Sequence, residues 1–394
     1  MELIDRPLYT NRLMNNVRSN KIKLLTGVRR VGKTSIMSLF QRKLINSGVE
    51  SNDIIYINFE SADYSFITES VGLYEFLTSR ISQTKLTYLI LDEVQRITGW
   101  QKVVTALKLD FNVDIYISLS RESNIDEFGK NVTRIEVLPL SFREYQQFKG
   151  IDIEKDSDKL TFFNEYLETA LPIQDHAILN DVFYSIVAQD ILTVNKIADN
   201  AMMMLLIRIL MSEMGKIHSY NSLCKFLSEV VDKAPAVRTV ESYIKILLNA
   251  HLFHCVPVFD LRDSHSLSRY AKYYPVDIGF YNLVMGKQSL DNTNILESMV
   301  YFELLRIGAK VSTCKIGQKK VAFLVESEDN KLYIHITDSI ANDTKFKAIM
   351  APLRAIKDHY SKWILTMNTN YMHSTDGIRI SNITEFLMDD GFNS

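Results

Sequence analysis

Residues 21–34 read KIKLLTGVRRVGKT, and this stretch decides the fold of the first part of the chain. An apolar run over 21–26 is typical of a buried strand, and it ends at Gly27. The next eight residues, 27–34, match the pattern G-x-x-x-x-G-K-[ST] of a phosphate-binding loop, or P-loop. A helix is predicted over 34–45. Because such a loop needs a strand before it and a helix after it, the sequence predicts a nucleotide site here.

Each part of the loop has a chemical role. Backbone N–H groups must converge on phosphate oxygens, and glycine permits the conformations that this requires. Lys33 is predicted to reach the β- and γ-phosphates and to assist catalysis, and the Thr34 hydroxyl to bind Mg²⁺. The predicted nucleotide-binding residues are Gly27, Val28, Arg29, Arg30, Val31, Gly32, Lys33, Thr34, Ser35 and Ser118.

The second half of this site is predicted to be acidic. Asp92 and Glu93 follow directly after the apolar run 87–91. Asp92 is the predicted Mg²⁺ ligand, through its water shell, and Glu93 the general base that polarises the attacking water. The adjacent pair favours hydrolysis over transfer to a small acceptor. The guanine motif of GTPases does not follow, so the predicted ligands are ATP and Mg²⁺.

Strand-like and helix-like segments alternate around the loop and predict an α/β fold with a mostly parallel sheet. We predict a P-loop NTPase domain over 1–150. Its further strands are predicted at 53–59, 87–91, 113–118 and 133–137, and its further helices at 73–81 and 100–109.

The rest of the chain predicts two more regions. Residues 151–270 are predicted as a helical and winged-helix-like region, with helices at 198–214, 220–228 and 237–249, a strand at 251–260 and a wing tip at 260–270. Residues 271–394 are predicted as a small α/β domain, with helices at 295–307 and 345–359 and strands at 310–314, 320–325, 332–337 and 363–367. The predicted recognition helix 237–249 carries only Arg238 and Lys245, which favours a packing role over DNA contact.

Composition limits the classes of function. The apolar fraction of 46% and the charged fraction of 23% are ordinary for a globular protein. The net charge of −2 excludes a general attraction to DNA or to an acidic membrane, so a nucleic-acid site would have to be a local patch. Three widely spaced cysteines predict reduced thiols, and neither a signal peptide nor a membrane span is predicted. These features predict a cytoplasmic protein without a membrane partner.

Several segments together resemble a known group. The stretches GVRRVGKTS (27–35), YINFE (56–60), LILDEVQRITGWQKVVTAL (89–107) and LPLSFREY (138–145) are similar to prokaryotic AAA-type ATPases with an uncharacterised C-terminal domain. The stretches 272–286 and 295–311 are similar to that C-terminal domain. This group is similar to STAND-type switch ATPases, and its C-terminal domain resembles the PD-(D/E)xK nuclease fold. The resemblance implies an ATP-dependent switch.

The sequence departs from this group at two places in the first domain. Ser118-Leu119-Ser120 replaces a Thr-Gly-Ser stretch, which leaves Ser118 as the predicted polar group near the γ-phosphate. Gly129-Lys130 falls where the group carries a Gly-Arg pair, and lysine lacks the planar fork of arginine. Arg134 is a second candidate for that charge, with a structural role favoured. These departures make nucleotide binding more secure than turnover.

The C-terminal domain departs further. Ala322 stands where a nuclease of this fold needs a metal-binding Asp, and Ile334-His335-Ile336 lacks the Glu-x-Lys motif. Glu297 is a remaining acid, and His335 is predicted to be structural. We therefore predict a non-catalytic, nuclease-like domain.

Three functions follow from these patterns. The first is an ATPase that uses hydrolysis as a conformational switch. The second is an ATP-liganded nucleic-acid-binding or regulatory protein with little or no hydrolysis. The third, an ATP-driven nuclease, is disfavoured by Ala322. A DNA or protein partner is expected to bind through the helical and C-terminal regions.

Overall fold

A computed structural model gives the architecture of the chain. It describes residues 4–122, 125–151, 156–173, 175–231, 234–286, 292–327, 330–340, 342–369 and 371–388. The chain divides into two units. Unit 1 comprises Met1–Pro139 with Asn249–His251, and unit 2 comprises Leu140–Leu248 with Leu252–Ser394.

Unit 1 is built on a five-stranded sheet with the strand order β2-β3-β4-β1-β5. All neighbouring strands in it are parallel, as predicted for the first domain. Its strands are β1 (Ile22–Thr26), β2 (Ile54–Asn58), β3 (Thr87–Asp92), β4 (Val113–Leu119) and β5 (Val132–Glu136). Its helices are α1 (Pro7–Met14), α2 (Lys33–Asn46), α3 (Ser70–Thr78) and α4 (Trp100–Asp110). The predicted strands differ from the observed ones by at most one residue at either end.

Helices cover both faces of this sheet, which is why its central strands are almost wholly apolar. On one face, Leu77 of α3 and Trp100 of α4 pack with Ile115 and Ile117 of β4 in one buried cluster. Tyr116 points the other way, and its ring lies 4.4 Å from that of Phe40 on α2. Because all strands are parallel, their carboxyl ends lie at one edge, where ligands bind in folds of this type.

Unit 2 contains a run of helices followed by a mixed sheet. The helices are α5 (Phe142–Lys149), α6 (Asp156–Tyr166), α7 (His176–Ser185), α8 (Asn200–Ser212), α9 (Tyr220–Ser228), α10 (Val237–Asn249), α11 (Ile278–Met285), α12 (Asn292–Arg306), α13 (Asp343–Ala355) and α14 (Ile383–Met388). The strands are β6 (Phe253–Asp260), β7 (His265–Pro275), β8 (Lys310–Ile316), β9 (Lys319–Glu326), β10 (Lys331–Thr337), β11 (Ser361–Thr366), β12 (Ser374–Thr375) and β13 (Ile378–Asn382). They form one sheet in the order β12-β13-β11-β10-β9-β8-β6-β7.

The predicted domain boundaries differ from the observed elements and units at two places. The boundary between residues 270 and 271 falls inside β7, and the hairpin β6–β7 joins the C-terminal sheet through parallel pairing of β6 with β8. The division near residue 139 places α5 in unit 2, whereas the predicted first domain ends at 150. Local patterns mark where a strand lies but not which distant strand pairs with it. Helix α13 also ends at Ala355, short of the predicted 359, because Ile356 adopts an extended conformation.

Candidate nucleotide site

The P-loop lies between β1 and α2 and is shaped by its two glycines. Gly27 has a φ of +142°, and a Cβ there would stand 2.4 Å from the carbonyl oxygen of Val137. Gly32 has a φ of +102° and immediately precedes α2, so the loop leads directly into the helix N-terminus. Val28 and Val31 are fully buried and anchor the loop. The loop can therefore present backbone N–H groups and the positive end of a helix to an anion.

Arg6, just before α1, fixes this loop from behind. Its guanidinium donates to the carbonyl oxygens of Val31 at 3.0 Å and Leu138 at 2.8 Å. Only 3% of Arg6 is exposed. It therefore ties the loop to the segment after β5 rather than facing solvent.

Lys33 joins the two predicted halves of the site. Its ammonium donates to the carbonyl oxygens of Gly27 at 2.9 Å and Val28 at 3.2 Å. The same nitrogen lies 3.2 Å from Oε1 of Glu93 at the end of β3. Two residues sixty positions apart in the sequence are thus in direct contact.

Asp92 lies at the centre of the predicted metal site. Burial raises the pKa of its carboxyl, and hydrogen bonds from the Ser118 and Thr34 hydroxyls partly offset this effect. The Tyr56 hydroxyl lies 3.4 Å from Oδ2 of Asp92. Thr34 and Asp92, the two predicted Mg²⁺ ligands, therefore adjoin and supply the hard oxygen ligands that this ion prefers. The donor set fits the ion.

Glu93 is held tightly by its neighbours. Its φ of +58° is unusual for a residue with a side chain, and its backbone N–H donates to Ser118 Oγ at 3.0 Å. Gln95 Nε2 donates to the carboxylate at 2.5 Å and to Ser120 Oγ at 3.0 Å. Burial opposes ionisation, but the Lys33 charge and hydrogen bonds from Ser120 and Gln95 outweigh it and lower the pKa of Glu93 to about 2.

Four of these residues are additions to the sequence prediction: Arg6, Tyr56, Gln95 and Ser120. Tyr56 and Ser120 lie on or just after β2 and β4, the two neighbours of β3, so the strand order brings them to the acidic pair. Burial and the Asp92 charge raise the pKa of Tyr56, so its hydroxyl is a neutral donor. Tyr56 lies within β2 and Ser120 directly after β4, and these positions gain meaning only with the sheet order.

Ser118 lies beside the acidic pair of the predicted site. It is fully buried, and its hydroxyl bonds to the Asp92 carboxylate and to the Glu93 N–H. This hydroxyl therefore supports the acidic pair from behind. Its predicted contact with the γ-phosphate stays a prediction.

The rim of the loop is more polar. Arg29 and Arg96 share the carboxylate of Glu60, at 2.5 and 2.8 Å from its Oε1. Arg30 and Thr34 are exposed, and Ser35 is half-buried. The cations that the sequence suggested for charge stabilisation lie on or beside β5, where Lys130 is exposed and Arg134 is 3.6 Å from Glu122.

Glu297, the acid that remains in the predicted nuclease-like domain, is paired within that domain. Glu297 on α12 accepts from Lys272 Nζ at 2.6 Å and Tyr274 Oη at 2.7 Å. Burial lowers the pKa of His335 to about 4, so its ring is neutral near pH 7. Ala322 is buried on β9. Among the described residues no three metal-binding side chains form a cluster.

Comparison with known proteins agrees with this geometry. Residues 19–146 match a family described as an AAA domain, and residues 162–291 match a domain of unknown function. An uncharacterised protein of Haemophilus influenzae is 29% identical over 403 aligned positions, which cover 98% of this chain and 99% of that protein. An uncharacterised protein of Methanocaldococcus jannaschii is 29% identical over 365 positions, covering 86% of this chain and 79% of that protein.

Solved structures show distant likeness. The Walker-type ATPase of Pyrococcus abyssi is 14% identical, with a TM-score of 0.48, and the match covers 72% of this chain and 96% of that one. The Orc1 protein of Aeropyrum pernix, solved in complex with DNA, is 15% identical, with a TM-score of 0.34, and the match covers 73% of this chain and 93% of that one.

The family match and the loop geometry define the class of the first unit. Residues 19–146 form an AAA-type P-loop domain, which is a nucleotide-binding domain. None of the helices in the described ranges has the length and apolar character that crossing a membrane requires.

Proposed function

We propose that this chain is a cytoplasmic, Mg²⁺-dependent ATPase that uses hydrolysis as a conformational switch. The observation that carries the proposal is the contact between the two halves of the site. Lys33 of the P-loop lies 3.2 Å from Glu93, and the Thr34 hydroxyl bonds to the neighbouring Asp92. A phosphate chain in the loop would therefore have a cation, two oxygen ligands and a carboxylate base beside it.

The residues have distinct roles in this proposal. Backbone N–H groups of 27–34 and the ammonium of Lys33 bind the phosphates. Thr34 and Asp92 would hold Mg²⁺, which supplies positive charge beside the phosphates when it is bound. Glu93 orients the attacking water and accepts its proton. Gln95 and Ser120 position the Glu93 carboxylate, and Ser118 holds both members of the acidic pair.

The Lys33–Glu93 contact links substrate binding to the strength of the base. A carboxyl group with a pKa of about 2 is a weak base near neutral pH. Phosphate oxygens compete with Glu93 for the Lys33 ammonium, because both are anions. Nucleotide binding therefore draws the cation away and raises the proton affinity of Glu93. Glu93 gains its basicity only when substrate is present.

The second candidate function is an ATP-liganded regulator that hydrolyses little. The position of Lys130 favours it, because this lysine stands in place of an arginine and is exposed. Both candidates use the same binding residues. They differ only in whether phosphate is released.

Phosphate release separates the two candidates. Wild type and Glu93→Gln are compared for ATP binding by calorimetry and for phosphate release under saturating ATP and Mg²⁺. We expect both to bind ATP, and the variant to release phosphate roughly a hundredfold to ten-thousandfold more slowly, since a general base is lost. Glu50→Gln, an exposed carboxylate paired with Lys85, is the matched control and should behave as wild type. ATP binding without phosphate release by wild type would favour the regulator.

For the C-terminal domain we propose a non-catalytic role with a nuclease-like fold. The support is that Glu297 is paired with Lys272 and that Ala322 carries no metal ligand. Incubation of the full chain with plasmid DNA and Mg²⁺ should leave the DNA intact. Cleavage that Glu297→Gln abolishes would contradict this assignment.

A further inference from the structure

Two hairpin tips of unit 2 adjoin at one end of the eight-stranded sheet. The first tip, residues 260–265, joins β6 to β7, and the second, residues 315–320, joins β8 to β9. Asp260 pairs with Lys315 across the parallel strands, and the Leu261 N–H donates to the Lys315 carbonyl at 2.9 Å. The Arg262 guanidinium lies over Gly317, with Nη2 2.5 Å from where a Cβ would stand. The two segments, called here the basic tips, form one continuous surface.

The basic tips concentrate positive charge on an acidic chain. They carry Arg262, Lys315, Lys319 and Lys320 against Asp260 and Asp263, a formal charge of +2, whereas the whole chain carries −2. Within the described part of the chain, none of the four cations forms an ion pair with a carboxylate. Lys319 donates to the backbone carbonyl of Ala351 instead. All are exposed except Lys315, which is half-buried.

The pairing of these lysines is unfavourable for the fold itself. Lys315 stands directly opposite Lys320 in the antiparallel pair of β8 and β9. Like charges at such positions, with Cβ atoms about 5 Å apart, destabilise a sheet. This pairing costs stability, and the described chain offers the two lysines no carboxylate. An external anion would supply the missing negative charge.

The other end of the same strands makes the contrast clear. There Lys310 of β8 and Lys331 of β10 each lie 3.5 Å from the Glu326 carboxylate. That end is roughly 17 Å from Lys315 along β8. Two lysines thus share one carboxylate at this end of the hairpin, whereas none of the four cations at the other end has an ion pair among the described residues.

The surface chemistry favours a phosphate backbone over a protein partner. Protein interfaces need an apolar centre, and none of the described side chains in the basic tips is a large exposed apolar group. Lysine binds phosphate as a point charge, and a nucleic-acid duplex presents phosphates in a dense regular row. The alternative surface, α10, is less suited, because Lys245 is paired with Glu241 at 2.7 Å.

We propose that the basic tips bind the phosphate backbone of a nucleic-acid duplex. The contact is independent of base sequence, since lysine contacts to phosphate read charge rather than base edges. The proposal concerns unit 2 alone and does not depend on ATP hydrolysis.

The test measures binding of the full chain to a fluorescent mixed-sequence DNA duplex by anisotropy over a series of KCl concentrations. Lys315→Gln/Lys320→Gln is compared with Lys310→Gln/Lys331→Gln, which removes the same charge from the opposite end. We expect the first double variant to lose about tenfold or more in affinity at low salt, and its salt dependence, as the slope of log K against log salt, to fall by about two. The second should match wild type.

Four results would overturn the proposal. The first is that wild type does not bind the duplex at low salt, and the second is that the two double variants lose affinity equally. The third is that polyglutamate, added as a competitor at an equal concentration of charge, displaces the duplex. Vesicles containing phosphatidylserine are run in parallel, and lysine-dependent binding to them without duplex binding would also refute it. Thermal melting checks that both variants fold. If the first double variant does not fold, the single variants Lys320→Gln and Lys310→Gln are compared instead. The slope of log K against log salt should then fall by about one in Lys320→Gln.

Discussion

The ammonium of Lys33 contacts both the loop carbonyl oxygens and the Glu93 carboxylate. Lys33→Ala removes the cation that the phosphates need, so we expect ATP affinity to fall roughly tenfold to a hundredfold, the usual worth of a charged hydrogen bond. Lys43→Ala is the matched control, because Lys43 lies on the same helix and bonds to Thr10 Oγ1 at 2.7 Å. Calorimetric titration with ATP measures both. Undiminished affinity in Lys33→Ala would refute the site assignment.

The same substitution has a consequence for stability against pH. The pKa of Glu93 is lowered from 4.5 to about 2 in the folded chain. A lowered folded-state pKa gives stability that is present above pH 4.5 and is lost as pH falls toward 2. Removing the Lys33 cation raises this pKa, so the acid-side loss of stability becomes shallower in Lys33→Ala. Urea unfolding at several acidic pH values measures it, and parallel curves for wild type and variant would contradict the ion pair.

The residues that the sequence did not single out share one property. Tyr56, Gln95 and Ser120 are ordinary residue types without a motif of their own, and they lie within β2, after β3 and after β4 respectively. Their role arises because β3 lies between β2 and β4. The acidic pair and the P-loop were visible in the sequence since phosphate and metal chemistry demands particular residue types at fixed spacing. Supporting groups need only to donate hydrogen bonds, so many residue types serve.

At the scale of the elements, the connection between β1 and α2 depends on a glycine. Gly27 has a φ of +142°, and a Cβ added to it would lie 2.4 Å from the carbonyl oxygen of Val137. Gly27→Ala therefore adds a clash with the backbone to a strained conformation. We expect it to destabilise unit 1 by about 2–4 kcal/mol. Gly48→Ala, at φ +96° in open space, meets only the conformational strain of about 1–2 kcal/mol. Urea unfolding of both variants measures the difference, and equal losses would show that Val137 gives way.

The two sheets differ in how far the sequence predicts them. In unit 1 the strands are continuous apolar runs separated by amphipathic helices, and the parallel order follows from right-handed connections. In unit 2 a strand is predicted at 251–260 and observed at Phe253–Asp260, but its pairing with β8 joins residues more than fifty positions apart. Such pairing depends on how the sheet is completed in space. The sequence pattern therefore predicts the strand but places it in the region 151–270, apart from the C-terminal domain whose sheet it joins.

At the scale of the whole molecule, charge is distributed unevenly. The chain carries −2, yet unit 2 gathers at the basic tips four cations that have no ion pair among the described residues, while the acidic pair of unit 1 is buried beside Lys33. Nucleotide and polyanion would therefore bind to different units. A switch that couples them requires a change in unit 2 that depends on which nucleotide unit 1 holds, since a ligand shifts an equilibrium only through differential affinity.

Hydrogen exchange by mass spectrometry tests that coupling. At a hundredfold excess of ATP over its Kd, binding stabilises the folded state by about 2.7 kcal/mol, so globally exchanging amides of unit 1 should slow roughly a hundredfold. Glu93→Gln keeps ATP intact, which allows ATP and ADP states to be compared in one protein. We expect residues 27–35 to be protected by both nucleotides, and amides of unit 2 to differ between them. Identical exchange of unit 2 in the ATP and ADP states would contradict the proposed switch, because unit 2 would then not respond to hydrolysis in unit 1.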